Sequence, residues 1–409
     1  MDEGDRGGRS AVTGPSMGDP GREEPDRLEV ELPSGRVTLG FVREEPFIYL
    51  VGRDRSARWP TQLLRDGGAT LWVAGSSVRG AAGLITDPTE KARVLDLFRA
   101  RYGPTGFERW YAHPARVLRI RLGAAPHGVA SGGDYHAWLE AEFDNVADDY
   151  DRHITGNRIN RLLRDRSLQE LRRSFHDAHR VLEVGCGSGM ETLPLLEDGH
   201  EVVCVDISQR MLDVVREKAV RVGVGERLRT VHLAASDLPR LAREEGTASF
   251  DGAYSTYGAL NCEGDLRPVA GAIAELVRPG APFVAGVYNR WCAFELAGYG
   301  ITGRWGRAVG RMRHVTPVGS SRFCVDVFAF SAAEVRRVFE PWFTVVRTEG
   351  VPVLLPPSDL ASYVERFGSG FSRLDRWDRA LGRRWPFRLL GDHFLMTLRR
   401  DPDGRVGAS

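Results

Sequence analysis

Apolar and polar positions change rhythm twice along the chain. Residues 1–26 show no apolar periodicity and are rich in Gly, Pro and charge, which predicts a disordered tail. From Leu28 to Leu122 short apolar runs alternate with turn signals. LEVEL, RVTLGFV, FIYLVG, PTQLLR and ATLWVAG each read as a strand, broken by Pro33-Ser34-Gly35, Glu44-Glu45-Pro46 and Asp66-Gly67-Gly68. One helix is predicted over 88–102, with Ala92, Leu95, Leu97 and Phe98 near one face, followed by a last strand at 116–122. Five or six short strands with one helix suggest a small barrel or sandwich over 27–122.

A Gly-rich stretch, 123–134, reads as a linker. Beyond it the period lengthens. Helical segments lead to VLEV (181–184), then EVVCVD (201–206), TVHLAA (230–235), DGAYS (251–255) and PFVAGVY (282–288), with helical stretches between. Strands alternating with helices of this length predict a doubly wound, largely parallel α/β sheet over 135–400. Two segments exceed a minimal fold of this kind, near 290–330 and 352–391, before the final strand HFLMTLRR (393–400). They are expected to form a lid over a substrate. Residues 401–409 read as a short tail.

Length and composition narrow the classes. At roughly 150 residues per domain, 409 residues imply two or three. Hydrophobic residues at 42% and charged residues at 27% exclude a disordered, collagenous or coiled-coil chain. The formal charge of +1 gives no basic field to recruit nucleic acid or anionic lipid. Five scattered cysteines without a CxxC pair provide neither zinc spacing nor a secreted disulfide framework, so no metal is expected. No apolar run is long enough for a membrane span, and 1–26 is too acidic and too rich in Gly and Pro for a signal peptide. The expectation is a cytoplasmic protein with no membrane partner.

The strongest chemical signal is Val181-Leu182-Glu183-Val184-Gly185-Cys186-Gly187-Ser188-Gly189, leaving a buried strand for a helix starting near Met190. Glycines at 185, 187 and 189 let backbone approach a ligand where a Cβ would clash. The spacing is Gly-x-Gly-x-Gly rather than the dinucleotide Gly-x-Gly-x-x-Gly. The next strand ends in Asp206, suited to accept from both hydroxyls of a ribose. Ala235-Ser236-Asp237-Leu238 ends the third strand, Phe250-Asp251 opens the fourth, and Pro279-Gly280 precedes the fifth.

This ordered series resembles the class I S-adenosylmethionine-dependent methyltransferases, over about 135–400. The resemblance implies S-adenosylmethionine as cofactor. Gly185 and Gly187 would line its methionine part above Glu183, with Cys186 and Gly189 completing the loop. Asp206 would hold the ribose, Ile207 would pack on the adenine, and Asp237 would accept from the adenine amine. Ser236, Leu238 and Ser255 would lie beside them. Phe143 to Asp151 is similar to a Tyr-Asp element that closes over the cofactor in small-molecule methyltransferases, which adds Tyr150.

Open α/β sheets bind ligands at the carboxyl ends of their strands. Tyr257 and Asn261, just after the fourth strand, are therefore expected to orient substrate or the cofactor's methionine end. Tyr288 and Asn289 would face the same cleft, and His314 and His393 are candidate bases, with His393 retained in the catalytic set. No Asn-Pro-Pro-Tyr or Asp-Pro-Pro-Tyr follows the fourth strand, a departure from the nucleic-acid amino-methyltransferases that favours a small-molecule substrate, with specialised metabolism as the expected setting. Arg304, Arg307, Arg311, Arg313 and Arg322, with no acidic residue between them, allow an anionic or carrier-bound substrate or a solvated face.

Residues 28–122 more weakly resemble the deazaflavin-dependent nitroreductase-like split β-barrel group. The parallels are Gly52-Arg53-Asp54-Arg55-Ser56-Ala57-Arg58, the helix start at Thr86–Lys91, and Arg101-Tyr102-Gly103. The resemblance implies a phosphate-binding loop for flavin or deazaflavin, but Asp54 stands in that loop. A barrel kept for homodimerisation or substrate capture is the other reading. A bifunctional or redox protein and a non-catalytic S-adenosylmethionine-binding regulator are the alternatives to a methyltransferase.

Overall fold

A computed structural model describes residues 28–402 except 33–34, 45, 53–58, 66–67, 74–75, 86–87, 112–115, 123–132, 145, 302–308, 313–314, 321–322 and 359–369. The predicted tail at 1–26, the loop after Gly52, Thr86 and Asp87, most of the predicted linker, Arg304, Arg307, Arg313, His314 and Arg322 lie outside the described residues. The chain divides into two compact units, Met1–Trp138 and Leu139–Ser409.

In the first unit, seven antiparallel strands are ordered β2-β1-β5-β6-β7-β4-β3. They are β1 (Leu28–Leu32), β2 (Gly35–Leu39), β3 (Phe41–Glu44), β4 (Phe47–Gly52), β5 (Gly68–Val73), β6 (Ser76–Leu84) and β7 (Arg116–Leu122). The two edge strands, β2 and β3, are separated in the chain by Gly40 alone. A sheet whose opposite edges are one residue apart must curl until they meet. Gly40 is where the curl is tightest: a Cβ there would lie 2.1 Å from the Tyr111 hydroxyl.

The predicted strand 36–42 is thus two strands meeting at Gly40. Residues 60–65 are not a strand but helix α1 (Trp59–Arg65), begun by Pro60, which fits a first helical turn. The Gly-rich strand β6 gave no apolar alternation to read. Helix α2 runs on to Trp110 (Pro88–Trp110), broken at Gly103 by a φ of 69° before Pro104. Its buried stripe is Val94 and Phe98, one turn apart, packed with Tyr49, Val51 and Val117 of the sheet. Ala92 faces solvent and Leu95 and Leu97 are only half-buried, so the predicted face was rotated.

The second unit carries a mixed sheet ordered β10-β9-β8-β11-β12-β16-β15. Strands β8 (Arg180–Val184), β9 (Glu201–Asp206), β10 (Leu228–His232), β11 (Gly252–Ser255) and β12 (Pro282–Tyr288) are parallel to their neighbours. The apolar runs of β8, β9, β11 and β12 are buried on both faces, as parallel strands between helices must be, whereas the edge strand β10 is only part-buried. Strand β16 (His393–Arg400) runs antiparallel between β12 and β15 (Phe343–Val351). Crossovers are α6 (Thr192–Glu197), α7 (Gln209–Arg221), α8 (Leu238–Glu245) and α9 (Arg267–Leu276). Because β8 pairs with both β9 and β11, the winding reverses there, and a crevice opens beyond the carboxyl ends of those two strands.

Ahead of the sheet come α3 (Gly133–Asp144), α4 (Tyr150–Thr155) and α5 (Arg158–Ser174). After β12 come α10 (Ala293–Ile301), the hairpin β13 (Val315–Ser320) and β14 (Phe323–Phe328), and α11 (Ala332–Phe339). Helix α12 (Phe371–Gly382) precedes β16. No helix among the described residues is long and apolar enough to cross a membrane.

Candidate active site

The turn out of β8 is built on three left-handed glycines, Gly185 (φ 78°), Gly187 (φ 51°) and Gly189 (φ 81°). A Cβ at Gly185 would lie 2.3 Å from Ala259 Cβ, and one at Gly189 would press on Val215. At Gly187 the space is open except for the ring of Tyr150, 3.9 Å away. Gly187 and Tyr150 thus form the two walls of a gap that only a glycine leaves wide. The helix expected at Met190 begins at Thr192 and is only six residues long, and the amides of Gly185, Cys186, Gly187 and Gly189 are already donated to Val205 O, Asp206 and Cys186 O.

Asp206 ends β9 with both carboxylate oxygens engaged. Gly187 N–H donates to Oδ2 (2.7 Å) and Ser208 N–H to Oδ1 (2.9 Å). Burial pushes its pKa up to about 6 despite these two donors. A carboxylate acceptor-only group has about four lone-pair positions, so capacity remains for two hydroxyl donors.

Glu183 lies one layer beneath, 2% exposed. It accepts from Thr192 Oγ1 (2.5 Å) and Cys204 Sγ (3.3 Å), and burial pushes its pKa up to about 7. It props the loop from below rather than meeting a ligand. The Cys186 thiol packs in the sheet core, so only its backbone belongs to the loop.

The 143–151 element docks on the start of α7. Asp144 accepts from Ser208 Oγ (2.5 Å) and Arg210 N (3.2 Å), and Asp148 pairs with Arg210 (2.6 Å). Asp151 accepts from both Ser188 Oγ and Lys218 Nζ. These bonds tie α4 to the glycine loop and hold Tyr150 over Gly187.

Of the remaining expected contacts, Ile207 is half-buried and Asp237 exposed, its carboxylate making no capping bond to α8. Ser236 N–H donates to Glu263 Oε1 (3.0 Å). Leu238 is fully buried in the core and has no face left for a ring. Ser255 is also fully buried, its Oγ lacking a partner within the protein.

Asn261 does not face the cleft. Its Nδ2 donates to the carbonyls of Tyr288 (3.0 Å) and Phe328 (2.6 Å), and its Oδ1 accepts from Tyr288 N–H (2.8 Å). The amide joins β12 to β14 and cannot orient substrate. Asn289 is likewise spent on the carbonyls of Trp291, Leu389 and Gly391.

Tyr257 does reach the site, on a strained left-handed backbone (φ 58°). The Arg164 guanidinium lies over its ring at 4.1 Å, and His393 stacks on it with centroids 5.9 Å apart. Arg164 itself was missed in sequence. It sits in the middle of α5, paired with Glu191 just after the glycine loop, their side chains 13% and 3% exposed. Burial holds Glu191 above the usual carboxylate range even beside the guanidinium. Arg164 Nε and Glu191 Oε1 are buried and make no hydrogen bond within the protein, which is uncommon for buried polar atoms. Only the buried stripe of α5, on which an Arg falls among leucines, could have signalled it.

Arg311, expected as part of an anion-attracting run, is 4% exposed and already paired with Glu295 and Asp392. Cys292, Glu295 and Asp392 lie close enough to share a cation, but the guanidinium of Arg311 already supplies the positive charge to both carboxylates.

The gap at Gly187, the spare capacity of Asp206 and the orphaned atoms of Arg164 and Glu191 together fit an amino-acid-bearing nucleoside. Residues 181–280 match a family model described as a methyltransferase domain. Over 155 residues the chain is 27% identical to tRNA 5-carboxymethoxyuridine methyltransferase of Escherichia coli strain K12, covering 37% of this chain and 57% of that protein. It is 30% identical over 185 residues to demethylmenaquinone methyltransferase of Beutenbergia cavernae, covering 43% and 65%. The chain thus spans less than two thirds of either relative. A crystal structure of 1,6-didemethyltoxoflavin-N1-methyltransferase from Burkholderia thailandensis superposes with a TM-score of 0.42 at 20% identity, covering 69% of this chain and 95% of that one. The family match opens on β8 and runs through the glycine loop and Asp206 to Gly280, the segment that builds the crevice, so residues 181–280 of the second unit carry a methyltransferase domain.

Proposed function

We infer that this chain methylates a small molecule, using S-adenosylmethionine held between Gly187 and Tyr150. The observation that carries the reading is Asp206. It ends β9 with its oxygens pinned by Gly187 and Ser208 amides, directly under the gap, where a ribose diol would complete its hydrogen bonds. Gly185 and Gly187 would take the methionine backbone, and Arg164 its carboxylate. Ile207 and Asp237 would take the adenine. The cofactor supplies a methyl group on a sulfonium, a leaving group already activated.

What remains for the protein is alignment and exclusion of water. Tyr150 and Tyr257 close the gap from two sides, each phenol buried enough to push its pKa above the usual value. The Tyr257 ring is itself covered by Arg164 and stacked on His393, so the phenol hydroxyls are the groups that would orient a small acceptor. The formal charge of +1 gives no reason to favour a nucleic-acid substrate.

Calorimetry with S-adenosylhomocysteine tests the reading. Asp206→Ala removes two charge-assisted hydrogen bonds worth about 1.5–3 kcal/mol each, so affinity should fall at least about tenfold. Unchanged binding in that variant, or none in the wild type, would overturn the assignment.

A further inference from the structure

At the open end of the sheet, three side chains are arranged in series behind the stacked Tyr257. His393 opens β16, level with Tyr288 at the end of β12. Because β16 runs antiparallel, its first residue lies at the carboxyl edge of the parallel strands, where the crevice is. The imidazole stacks on Tyr257 and meets Tyr288 edge-on, with centroids 5.4 Å apart. Its Nδ1 lies 3.0 Å from Asp392 Oδ2. The other oxygen of Asp392 accepts from Arg311 Nη2 (2.6 Å).

Arg311 is used to its full capacity. Nε donates to Glu295 Oε2 (2.8 Å), Nη1 to the carbonyl of Asp392 (2.9 Å), and Nη2 to Glu295 as well as Asp392. Its plane lies over the Tyr288 ring at 4.0 Å. Burial would raise the Asp392 carboxyl, but Arg311 and His393 hold it well below the usual carboxylate range, so it stays ionised.

We propose that His393 is the general base for methyl transfer and that Asp392 and Arg311 are its positioning residues. This rests on the methyltransferase reading above and adds a substrate class: an acceptor that carries a proton, the O–H of a phenol or acid or the N–H of an amine. With Nδ1–H donated to Asp392, the neutral ring carries its lone pair on Nε2. As the acceptor atom bonds the methyl carbon, the carbon–sulfur bond breaks and its electron pair stays on sulfur. The acceptor's proton passes to Nε2, and the positive charge of the sulfonium reappears on the imidazolium until water removes the proton.

The charges around His393 suit that product. Among the described residues, the ionised Asp392 accepts from Arg311 and lies beside the imidazole, so an imidazolium formed there meets a carboxylate. Also described nearby are Tyr257 and Cys292, both kept protonated by burial, the ring of Tyr288, and the Arg164–Glu191 pair beyond Tyr257. A metal at Cys292, Glu295 and Asp392 would compete with Arg311, so the base needs none.

The test uses the full chain with 15N-labelled histidine. Long-range 1H–15N correlations across pH 5–9 should show His393 as the Nδ1–H tautomer when neutral, and Asp392→Asn should abolish that preference. Diethyl pyrocarbonate should modify His393 at Nε2 with a rate that rises with pH and falls at least tenfold in Asp392→Asn. With S-adenosylmethionine and a panel of phenols, carboxylic acids and primary amines, His393→Asn should turn over at least about 100-fold more slowly than wild type. Its affinity for S-adenosylhomocysteine should stay within twofold. An Nε2–H tautomer, an Nε2 inert to the reagent, or near-wild-type turnover by His393→Asn would overturn the proposal. Failure of the wild type to bind S-adenosylhomocysteine would overturn the methyltransferase reading instead, a distinct result.

Discussion

The three glycines of the loop share a sign of φ but not a reason for being glycine. At Gly185 a side chain has no room, since its Cβ would stand 2.3 Å from Ala259. At Gly187 there is room, and only the left-handed backbone resists, at roughly 1–2 kcal/mol. Gly187→Ala should therefore cost about 1 kcal/mol of stability but fill the gap opposite Tyr150, cutting cofactor affinity at least tenfold. Gly185→Ala should cost more than about 2 kcal/mol, because β8 or the turn at Ala259 must move. Denaturant melts and calorimetry on both variants separate the two effects; equal stability loss would show that the turn relaxes freely. Spacing from strand ends let the sequence put these glycines, Asp206 and Tyr257 on turns at the carboxyl ends of β8, β9 and β11, where the structure has them. It could not show that Asn261 and Asn289 turn away, because their partners are main-chain carbonyls from elements 27 to 102 residues distant. Nor could it show Arg164, whose meaning depends on Glu191 arriving from another element.

Elements with a long apolar run were readable, and elements without one were not. Strands β4, β7, β9, β12 and β16 fall where their apolar runs predict, because burial on one or both faces writes the pattern directly. Strand β6 and helix α1 were missed or misread: the first is glycine and alanine, the second too short to show a helical period. The 352–391 segment, expected as a lid, is fastened at its base. Asp378 on α12 accepts from the amides of Val353 (2.7 Å), Leu354 (2.5 Å) and Leu355 (3.2 Å), while Arg166 on α5 pairs with it at 2.7 Å. Both side chains are almost wholly buried, at 0% and 2% exposure. Arg166 keeps a second partner in Asp375 (2.7 Å), but without Asp378 the buried amides of Val353 to Leu355 lose their acceptor, which costs roughly 1–3 kcal/mol. Asp378→Ala should lower stability by that much, and limited proteolysis should then cut near 353–355. Protection unchanged from wild type would mean that the segment is held elsewhere.

The second unit should be more stable in mild acid than at neutral pH, because the buried carboxyls Glu183, Glu191 and Asp206 have raised rather than depressed pKa values. Glu183 rises from 4.5 to about 7 and Asp206 from 3.8 to about 6. The folded state binds their protons more tightly than the unfolded chain does. The stability they contribute is therefore complete below pH 4 and is lost as pH climbs through 6 and 7. At 1.36 kcal/mol per unit, Glu183 alone accounts for about 3 kcal/mol. Glu183→Gln should raise the melting temperature at pH 8 and flatten its decline between pH 5 and 8; a steeper decline in the variant would reverse the sign argued here. The same unit holds the residues proposed for the cofactor, from Tyr150 to Asp237, which leads to a test by truncation. A chain beginning at Ser131 keeps α3 entire, including Asp144 and its bonds to Ser208 and Arg210 at the head of α7. Its affinity for S-adenosylhomocysteine should stay within about threefold of the full chain. A chain beginning at Val146 lacks Asp144, so the Ser208 hydroxyl loses its acceptor beside the Asp206 carboxylate. Affinity there should fall by about tenfold, the cost of about 1.4 kcal/mol expected for one charge-assisted bond. If the chain beginning at Ser131 folds, by circular dichroism and a cooperative melt, yet binds nothing, residues before it must take part in cofactor binding.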